Sequence, residues 1–334
     1  MRQGARSAIA VCAALGAVFA LASCSGQSAS EEPTATSEEA AAEAPLKFAC
    51  IVKDQSATFF AGMVAGCEQA AAEFGVEVTI LSGTADQDIE GSIANFEDAI
   101  TGGYDGIAIA PSDSVALVPT LEKAVAAGIP VVALDTPFDG PGTVSTVATD
   151  NVAGAIAATQ YLAEALGGKG KVAMLACTLS IGTCKQLDTG FTEAIAAYPD
   201  ITVVGKPLTN GSREEAFNAM QDLLTAHPDL AGFFAIAGPD GMGGIEAVQQ
   251  SGKSVVGVSR NCALDELNSI NSGTGLRACM AQFPKQMGYV GIKTLIDAAK
   301  GVAVSENQDS GFLILDKERA QEFIDLGEFN GSPS

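Results

Sequence analysis

The stretch Gly128–Pro137, which reads GIPVVALDTP, decides the fold. Its short, uninterrupted apolar run follows a helical pattern and is typical of a strand buried inside a parallel sheet. The run ends on one carboxylate, Asp135, and the chain then turns at a proline. Because open parallel sheets bind ligands at the carboxyl ends of their strands, we expect Asp135 at the rim of a crevice. An ordinary loop aspartate is the alternative.

Around this strand, segments with the strand pattern alternate with segments of helical periodicity. The predicted elements before residue 170 are strands Leu46–Val52, Val76–Leu81, Gly106–Ala110 and Thr143–Thr149, and helices Phe59–Phe74, Ile89–Thr101, Val115–Ala127 and Val152–Leu166. The later ones are strands Lys171–Ala176, Ile201–Pro207, Leu230–Ile236, Ser254–Val258 and Leu276–Gln282, and helices Asp188–Tyr198, Glu214–His227, Gly243–Ser251 and Leu264–Asn271. This alternation predicts an α/β protein with parallel sheets covered on both faces. Residues 46–334 exceed what one core usually holds, so we expect two domains.

The N-terminal residues predict export and attachment to a membrane. Residues 1–23 have the basic start and apolar run of a signal peptide. They close in Leu21–Cys24, LASC, which resembles the bacterial lipobox and implies lipidation of Cys24. Ordinary secretory cleavage is the alternative. Residues 24–45 are rich in Ser, Glu, Ala, Thr and Pro, a composition typical of a disordered tether.

The chain is strongly acidic, with a formal net charge of −22. Removing Arg2 and Arg6 with the predicted signal takes away two positive charges and leaves a formal net charge of −24. So acidic a chain disfavours nucleic acid and anionic membrane surfaces as partners, because both repel negative charge.

Six cysteines remain once Cys12 and Cys24 are set aside, and they fall in neighbouring pairs. An even number in an exported chain favours disulfides, although fifteen connectivities are possible for six cysteines. Buried core thiols are the alternative. The predicted pairs are Cys50 with Cys67, Cys177 with Cys184, and Cys262 with Cys279.

Two glycine-containing stretches resemble phosphate-binding loops without matching them. Ser251–Ser254, SGKS, has Ala247 where the first glycine would stand, and it runs from a helix into a strand. Gly238–Gly244 misses the dinucleotide fingerprint because Glu246 takes the place of the third glycine. We interpret these glycines as a tight turn with close packing.

Catalytic and metal motifs are weak in this chain. The only histidine, His227, precedes the Leu230 strand and is expected at the amino ends of the strands, opposite the crevice. This position disfavours a Ser–His–acid triad or a Cys–His nucleophile, and a single histidine disfavours zinc. Paired carboxylates stay open as an alternative, although no second acid accompanies Asp135 at a recognisable spacing.

Six motifs in order along the chain resemble the sugar-binding family of type I periplasmic binding proteins. They are TFF at 58–60, APSDS at 110–114, the strand at 128–135, TDN at 149–151, LLTAHPD at 223–229, and AQFP at 281–284. The resemblance implies two doubly wound domains joined by a three-segment hinge. It places residues 46–149 plus 283–311 in an N-terminal lobe, and 150–282 plus 312–330 in a C-terminal lobe.

The resemblance also implies ligand-binding residues. Phe59 and Phe60 correspond to an aromatic platform that stacks on a sugar ring, Asp135 to a hydroxyl acceptor, and Gln282 to an amide beside the hinge. A carboxylate and an amide in a closed cleft suit a neutral polyol, because buried hydroxyls need partners.

Several binding positions depart from the family pattern and predict a ligand other than ribose. They are Thr136 and Leu187, where the family has arginine, Ala237, where it has asparagine, and Ser259, where it has aspartate.

Lys53 and Arg260 could supply positive charge to the same cleft. Three readings are open: a neutral sugar held in a different pose, a ligand with a carboxylate or phosphate, or two cations that point to solvent.

The leading hypothesis is therefore a monomeric solute receptor without catalysis or cofactor. It would be lipid-anchored on the extracytoplasmic face of the cell membrane and deliver a sugar or polyol to an ABC transporter permease. The alternatives are an exported α/β enzyme acting on a small carbohydrate-like metabolite and, least favoured, a repressor built on the same fold, for which the expected N-terminal DNA-binding segment is missing.

Overall fold

The computed structural model describes residues 44–326. The predicted signal peptide, Cys24 and the tether up to residue 43 lie outside the described residues. Within residues 44–326, no helix combines the length and the apolar character that crossing a membrane requires.

The described chain alternates between strands and helices throughout. The strands are β1 (Lys47–Val52), β2 (Glu77–Ser82), β3 (Gly106–Ile109), β4 (Val131–Leu134), β5 (Ser145–Ala148), β6 (Lys169–Leu175), β7 (Asp200–Gly205), β8 (Leu230–Ala235), β9 (Val256–Asn261), β10 (Ala278–Ala281), β11 (Asn307–Asp309) and β12 (Leu313–Asp316). The helices are α1 (Thr58–Phe74), α2 (Ile89–Thr101), α3 (Val118–Ala126), α4 (Asn151–Ala165), α5 (Gly182–Ile195), α6 (Arg213–Ala226), α7 (Gly238–Ser251), α8 (Leu264–Ser272), α9 (Pro284–Ala299) and α10 (Lys317–Leu326).

The strands form two six-stranded sheets. The first has the order β11-β5-β4-β3-β1-β2 and the second β12-β10-β9-β8-β6-β7. All neighbours run parallel except β12, which is antiparallel to β10. Helices cover both faces of each sheet, which confirms the predicted α/β, doubly wound architecture. We call the sheet with β1 and its helices the first lobe, and the sheet with β6 and its helices the second lobe.

Strand β4 lies within the stretch Gly128–Pro137 and shows why that stretch contains a short apolar run. All four of its residues are fully buried, and it pairs with β3 on one side and β5 on the other. Val132 and Leu134 pack into the hydrophobic cluster on one face of the sheet, and Val131 into the cluster on the other. A strand covered on both faces admits no polar side chain until it ends, which here happens at Asp135.

The chain passes between the lobes three times: between β5 and α4, between β10 and α9, and between β11 and β12. Two of these crossings are hydrogen-bonded to each other. The Thr149 hydroxyl donates to the Gly311 carbonyl at 3.2 Å, and the Asp150 N–H donates to Asp309 Oδ1 at 3.1 Å. These contacts tie the crossings into one hinge.

The Gly238–Gly244 stretch is helical, which corrects the prediction of a tight turn. Helix α7 begins at Gly238 with Pro239 in its first turn, where a missing N–H costs nothing. The other part of that interpretation, that these glycines allow close packing, is correct. A Cβ at Gly243 would collide with the carbonyl oxygen of Arg213 on α6, so a glycine is needed where the two helices meet.

Two further element boundaries differ from prediction near the lobe interface. Helix α5 begins at Gly182, earlier than the predicted start at Asp188. Strand β9 extends past Val258 and takes in Ser259 and Arg260, which were expected to follow the strand. Both residues are buried there, and contacts with the rest of the fold outweigh the local preference for a turn.

The three predicted cysteine pairs are disulfide-bonded in the structure. Each links neighbouring elements, so no bridge crosses between the lobes. The bonds are Cys50–Cys67 between β1 and α1, Cys177–Cys184 between the end of β6 and α5, and Cys262–Cys279 between the end of β9 and β10, with Cα atoms 6.7, 5.7 and 5.4 Å apart.

Replacing both Cys50 and Cys67 with alanine should lower the free energy of unfolding by about 3 kcal/mol, because the cross-link closes a loop of 17 residues in the unfolded chain. Urea unfolding of the variant beside the wild-type protein measures the loss. Thiol labelling of the denatured, unreduced wild-type protein is the control and should find almost no free cysteine. Six reactive thiols would contradict all three bonds.

Candidate ligand-binding site

A cavity of about 370 Å³ lies between the two lobes, at the carboxyl ends of their strands. Lining residues lie at or after the ends of β1, β2 and β4 in the first lobe, and of β6, β7, β8 and β9 in the second. Parallel strands present their carboxyl ends along one edge of a sheet, so both lobes direct these connections into the same space. Polar residues of the lining include Lys53, Asp86, Asp135, Thr183, Asn210, Arg260, Asn261 and Glu266.

Asp135 is the centre of the polar part of this cavity. It follows β4 with a φ of 57°, a left-handed conformation that aspartate tolerates better than most residues. Its side chain is buried and accepts two hydrogen bonds. Arg260 Nη2 donates to Oδ1 at 3.3 Å, and the Thr136 hydroxyl donates to Oδ2 at 2.9 Å. Since Arg260 belongs to the second lobe, this ion pair spans the cleft.

Arg260 is held by a polar group from each of two hinge crossings. Its Nη2 also donates to Asn151 Oδ1 at 3.0 Å and to Gln282 Oε1 at 2.6 Å. The Gln282 amide in turn donates to Asn261 Oδ1 at 2.8 Å. Arg260 Nε is buried and has no partner among the described residues, so the hydrogen-bonding capacity of this guanidinium is not used up by protein groups. Burial lowers the pKa of this guanidinium, and Asp135 acts in the opposite direction.

Lys53 is the second cation beside Asp135. Its Nζ donates to the Thr136 hydroxyl at 3.1 Å, lies 4.0 Å from Asp135 Oδ2, and lies 5.8 Å from the centre of the Phe60 ring. Lys53 and Arg260 are each 7% exposed. The reading in which both cations point to solvent is therefore wrong.

Asp86 brings a second carboxylate into the cavity. Burial raises the pKa of this carboxyl, and the nearby Lys53 works against that shift. Asp135 and Asp86 together oppose Lys53 and Arg260, so this part of the cavity holds as many acids as bases. Such a balance leaves no surplus positive charge for an anionic ligand.

Two parts of the cavity lining are apolar, one in each lobe. In the first lobe Phe59 and Phe60 contact each other edge to face, with ring centres 5.1 Å apart. In the second lobe a continuous surface, which we call the apolar wall, closes the cavity. The apolar wall consists of Cys177, Ile181, Cys184, Leu187, Ile236 and Ala237.

Two buried carboxyl groups, those of Glu266 and Asp240, lie on the second-lobe side of the cavity. Glu266 accepts hydrogen bonds from the Ser259 hydroxyl and from the backbone N–H of Ala263, so it caps the start of α8. Burial raises the pKa of Glu266 to about 8. Asp240 accepts from the Gly211 N–H at 3.2 Å, and burial raises its pKa to about 7. Both carboxyls exist largely as neutral acids over part of the physiological range.

The predicted site residues divide into two groups. Lys53, Phe59, Phe60, Asp135, Leu187, Ala237 and Arg260 line the cavity.

The other three lie behind the lining and hold it in place. Thr136 bonds Asp135 and Lys53, Ser259 bonds Glu266, and Gln282 bonds Arg260. The Gln282 amide is thus engaged with protein groups and does not line the cavity.

Sequence reasoning missed Asp86, Thr183 and Glu266. Asp86 comes shortly after β2, so the carboxyl-end rule that selected Asp135 would also have found it. Thr183 was missed because the predicted α5 began too late. Its hydroxyl donates to the Asp135 carbonyl at 3.1 Å, across the cleft. Glu266 carries no sequence signal, because its place in the cavity depends on how α8 packs.

The connection between β6 and α5 makes the other contacts across the cleft. The Ser180 hydroxyl donates to Asp113 Oδ2 at 2.6 Å, and the Gly182 N–H donates to the Ser114 hydroxyl at 2.8 Å. With Thr183 and Arg260, these bonds hold the lobes closed around the cavity. Within residues 44–326, no group of His, Cys, Asp and Glu side chains is arranged to hold a metal ion.

Comparison with known proteins agrees with this architecture. The family model of the periplasmic binding protein domain matches residues 48–303. The ribose import binding protein of Escherichia coli is 32% identical over 77% of this chain and 86% of its own. A solute-binding protein of an ABC transporter from Agrobacterium vitis, solved with α-D-tagatopyranose, superposes with a TM-score of 0.82 at 28% identity, covering 86% of this chain and all of that one. Another from Agrobacterium radiobacter, solved with D-arabinose, gives a TM-score of 0.81 at 28% identity and the same coverage.

These relatives are binding proteins of transport systems, not enzymes. The match spans most of the chain, and both lobes and the three crossings are present. The chain belongs to the type I periplasmic binding protein family and is a binding protein rather than an enzyme.

Proposed function

We propose that this protein is the extracytoplasmic solute-binding component of an ABC importer, and that it clamps a small neutral sugar or polyol between its lobes. The observation that carries the proposal is the cavity between the lobes, with Asp135, Lys53 and Arg260 beside the aromatic rings of Phe59 and Phe60. A carboxylate accepts hydrogen bonds from ligand hydroxyls and cationic side chains donate to them, and an aromatic face packs against the C–H groups of a sugar ring.

The charge arrangement favours a neutral ligand over an acidic one. Arg260 and Lys53 both face Asp135, and Asp86 adds a second acid. An anion bound here would meet two carboxylates at close range, and like charges brought together in a site of low polarity repel strongly. The three relatives compared above point the same way, since one is named for ribose import and the other two were solved with tagatose and arabinose, which are neutral sugars.

Binding of a panel of sugars, polyols, nucleosides and sugar acids tests the proposal. A ligand present at a hundredfold excess over its dissociation constant should stabilise the fold by about 2.7 kcal/mol, which a thermal-shift measurement detects. Calorimetry should then give one ligand per chain and an affinity insensitive to salt. Recovery of the ligand unchanged would separate a receptor from the enzyme alternative. Tight binding of sugar acids alone, lost at high salt, would contradict the neutral-ligand proposal.

We further propose that the protein is anchored to the outer face of the cell membrane through a lipid on Cys24. The support is the Leu21–Cys24 motif and the tether-like composition that follows it. A tether of this kind lets a binding domain reach the permease while staying attached.

Replacing Cys24 with alanine is expected to move the protein from the membrane fraction to the soluble fraction. Because the cavity is lined by residues 53–266 of the described chain, ligand binding should not change, and this is the control. An unmodified N-terminus, found by mass spectrometry on wild-type protein taken from cells, would contradict the anchor.

A further inference from the structure

We propose that the ligand is a deoxy or methylated sugar, whose apolar group packs on the apolar wall while its hydroxyls bind the polar centre around Asp135. This inference rests on the proposed function and names the ligand class of the same cavity. It follows from the unequal distribution of polar groups around the lining.

The apolar wall offers a ligand no hydrogen-bonding side chain. It comes from three neighbouring parts of the second lobe: the connection after β6, helix α5, and the connection after β8. All six residues belong to one hydrophobic cluster of the second lobe or pack against it. The apolar wall is therefore the part of this hydrophobic core that faces the cavity. A disulfide forms part of it, which adds sulfur atoms that are poor hydrogen-bond acceptors.

Two polar side chains lie next to the apolar wall, and the oxygen atoms of both are already bonded to protein groups. The Thr183 hydroxyl donates to the Asp135 carbonyl, and Asn210 Oδ1 accepts from the N–H and the hydroxyl of Thr178. A ligand hydroxyl that points directly at Leu187 or Ile236 would meet apolar side chains and would lose its water without gaining a partner there. Such a group is expensive to bury, whereas a methyl group gains from the same contact.

The opposite holds around Asp135. Arg260 Nε is buried without a partner in the described chain, and Lys53 uses one of its three ammonium protons on Thr136. Donors left free in a buried site call for acceptor oxygens on the ligand. One end of the ligand is thus required to carry hydroxyls, and the end that meets the apolar wall is required to lack them.

Matched pairs of sugars test the inference on the wild-type protein. Each pair differs only in a terminal CH₂OH or CH₃ group: D-galactose and D-fucose, L-mannose and L-rhamnose, and D-glucose and 6-deoxy-D-glucose. Calorimetry should show at least one deoxy member binding about 10-fold or more tightly than its partner, a factor within the range for small groups in apolar pockets.

Two variants show whether the apolar wall causes the preference. Leu187→Asn and Ile236→Thr keep similar shapes and add polar groups, so each should reduce or reverse the preference for the deoxy member. Leu179→Asn is the matched control, because Leu179 lies on the same connection after β6 but is exposed and outside the cavity lining. It should keep the wild-type preference.

The outcomes separate this inference from the proposed function. Tighter binding of the hydroxylated member in every pair, or equal binding, overturns the inference and leaves a sugar receptor in place. A preference that survives both variants also overturns it. If no sugar of any pair binds, the proposed function is wrong and the inference falls with it. If either variant fails to fold, the comparison of the sugar pairs on the wild-type protein still tests the inference.

Discussion

Replacing Asp135 with asparagine is expected to weaken ligand binding by at least about 100-fold and to lower the free energy of unfolding by about 3 kcal/mol or more. The substitution removes the carboxylate that pairs with both Arg260 and Lys53, so it leaves two buried cations opposed by Asp86 alone in this part of the cavity. Asparagine is the right replacement because it tolerates the left-handed backbone at this position, where φ is 57°. Alanine would add backbone strain to the loss of charge.

Asp139→Asn is the matched control, since Asp139 lies on the same connection after β4 but is exposed. Its effect on stability and binding should be negligible. The double variant Asp135→Asn/Arg260→Gln should lose less stability than the two single changes add up to, because the second substitution removes a cation that the first left unpaired. Calorimetry with the cognate sugar and urea unfolding measure the two effects. Unchanged affinity in Asp135→Asn would reject the role assigned to this carboxylate.

The free energy of unfolding is expected to fall as the pH rises from about 4.5 to about 8. Glu266 has a pKa of about 8 in the folded protein and an ordinary pKa of 4.5 in the unfolded chain, so in this range the folded chain binds more protons than the unfolded one. Stability is then greatest at low pH and is lost as the buried acid must ionise. At about 1.4 kcal/mol per pKa unit, Glu266 alone would account for a loss of roughly 4 kcal/mol by pH 8.

Glu266→Gln isolates this contribution. Glutamine cannot ionise and still offers an oxygen to the Ala263 N–H, so the variant should lose most of the pH dependence and exceed the wild type in stability near pH 8. Asp240, with a pKa of about 7, would supply the remaining slope. Glu122→Gln, at an exposed position, is the control and should follow the wild-type curve. Urea unfolding at several pH values gives the slopes, and equal slopes in wild type and Glu266→Gln would contradict the buried acid.

The sequence by itself determined the fold class and much of the cleft. Strand β4 is recognisable because burial on both faces demands a short apolar run, and Asp135 stands out because it ends that run. The cysteine pairs are close in sequence because each joins neighbouring elements, as between Cys177 and Cys184, so local spacing carried the information. Hydrophobic periodicity and the direction of each strand depend on neighbouring residues in the sequence, so they can be predicted without contacts from the other lobe.

The tertiary structure alone decided what the charged residues do. Lys53 and Thr136 are 83 residues apart, and Arg260 and Asp135 are 125 apart, yet each pair is bonded in the cleft. Nothing in the local sequence separates a buried cation from an exposed one at a strand end. Its burial depends on a partner that another part of the chain brings within reach when the protein folds, because only a paired charge can leave water without a large cost in free energy.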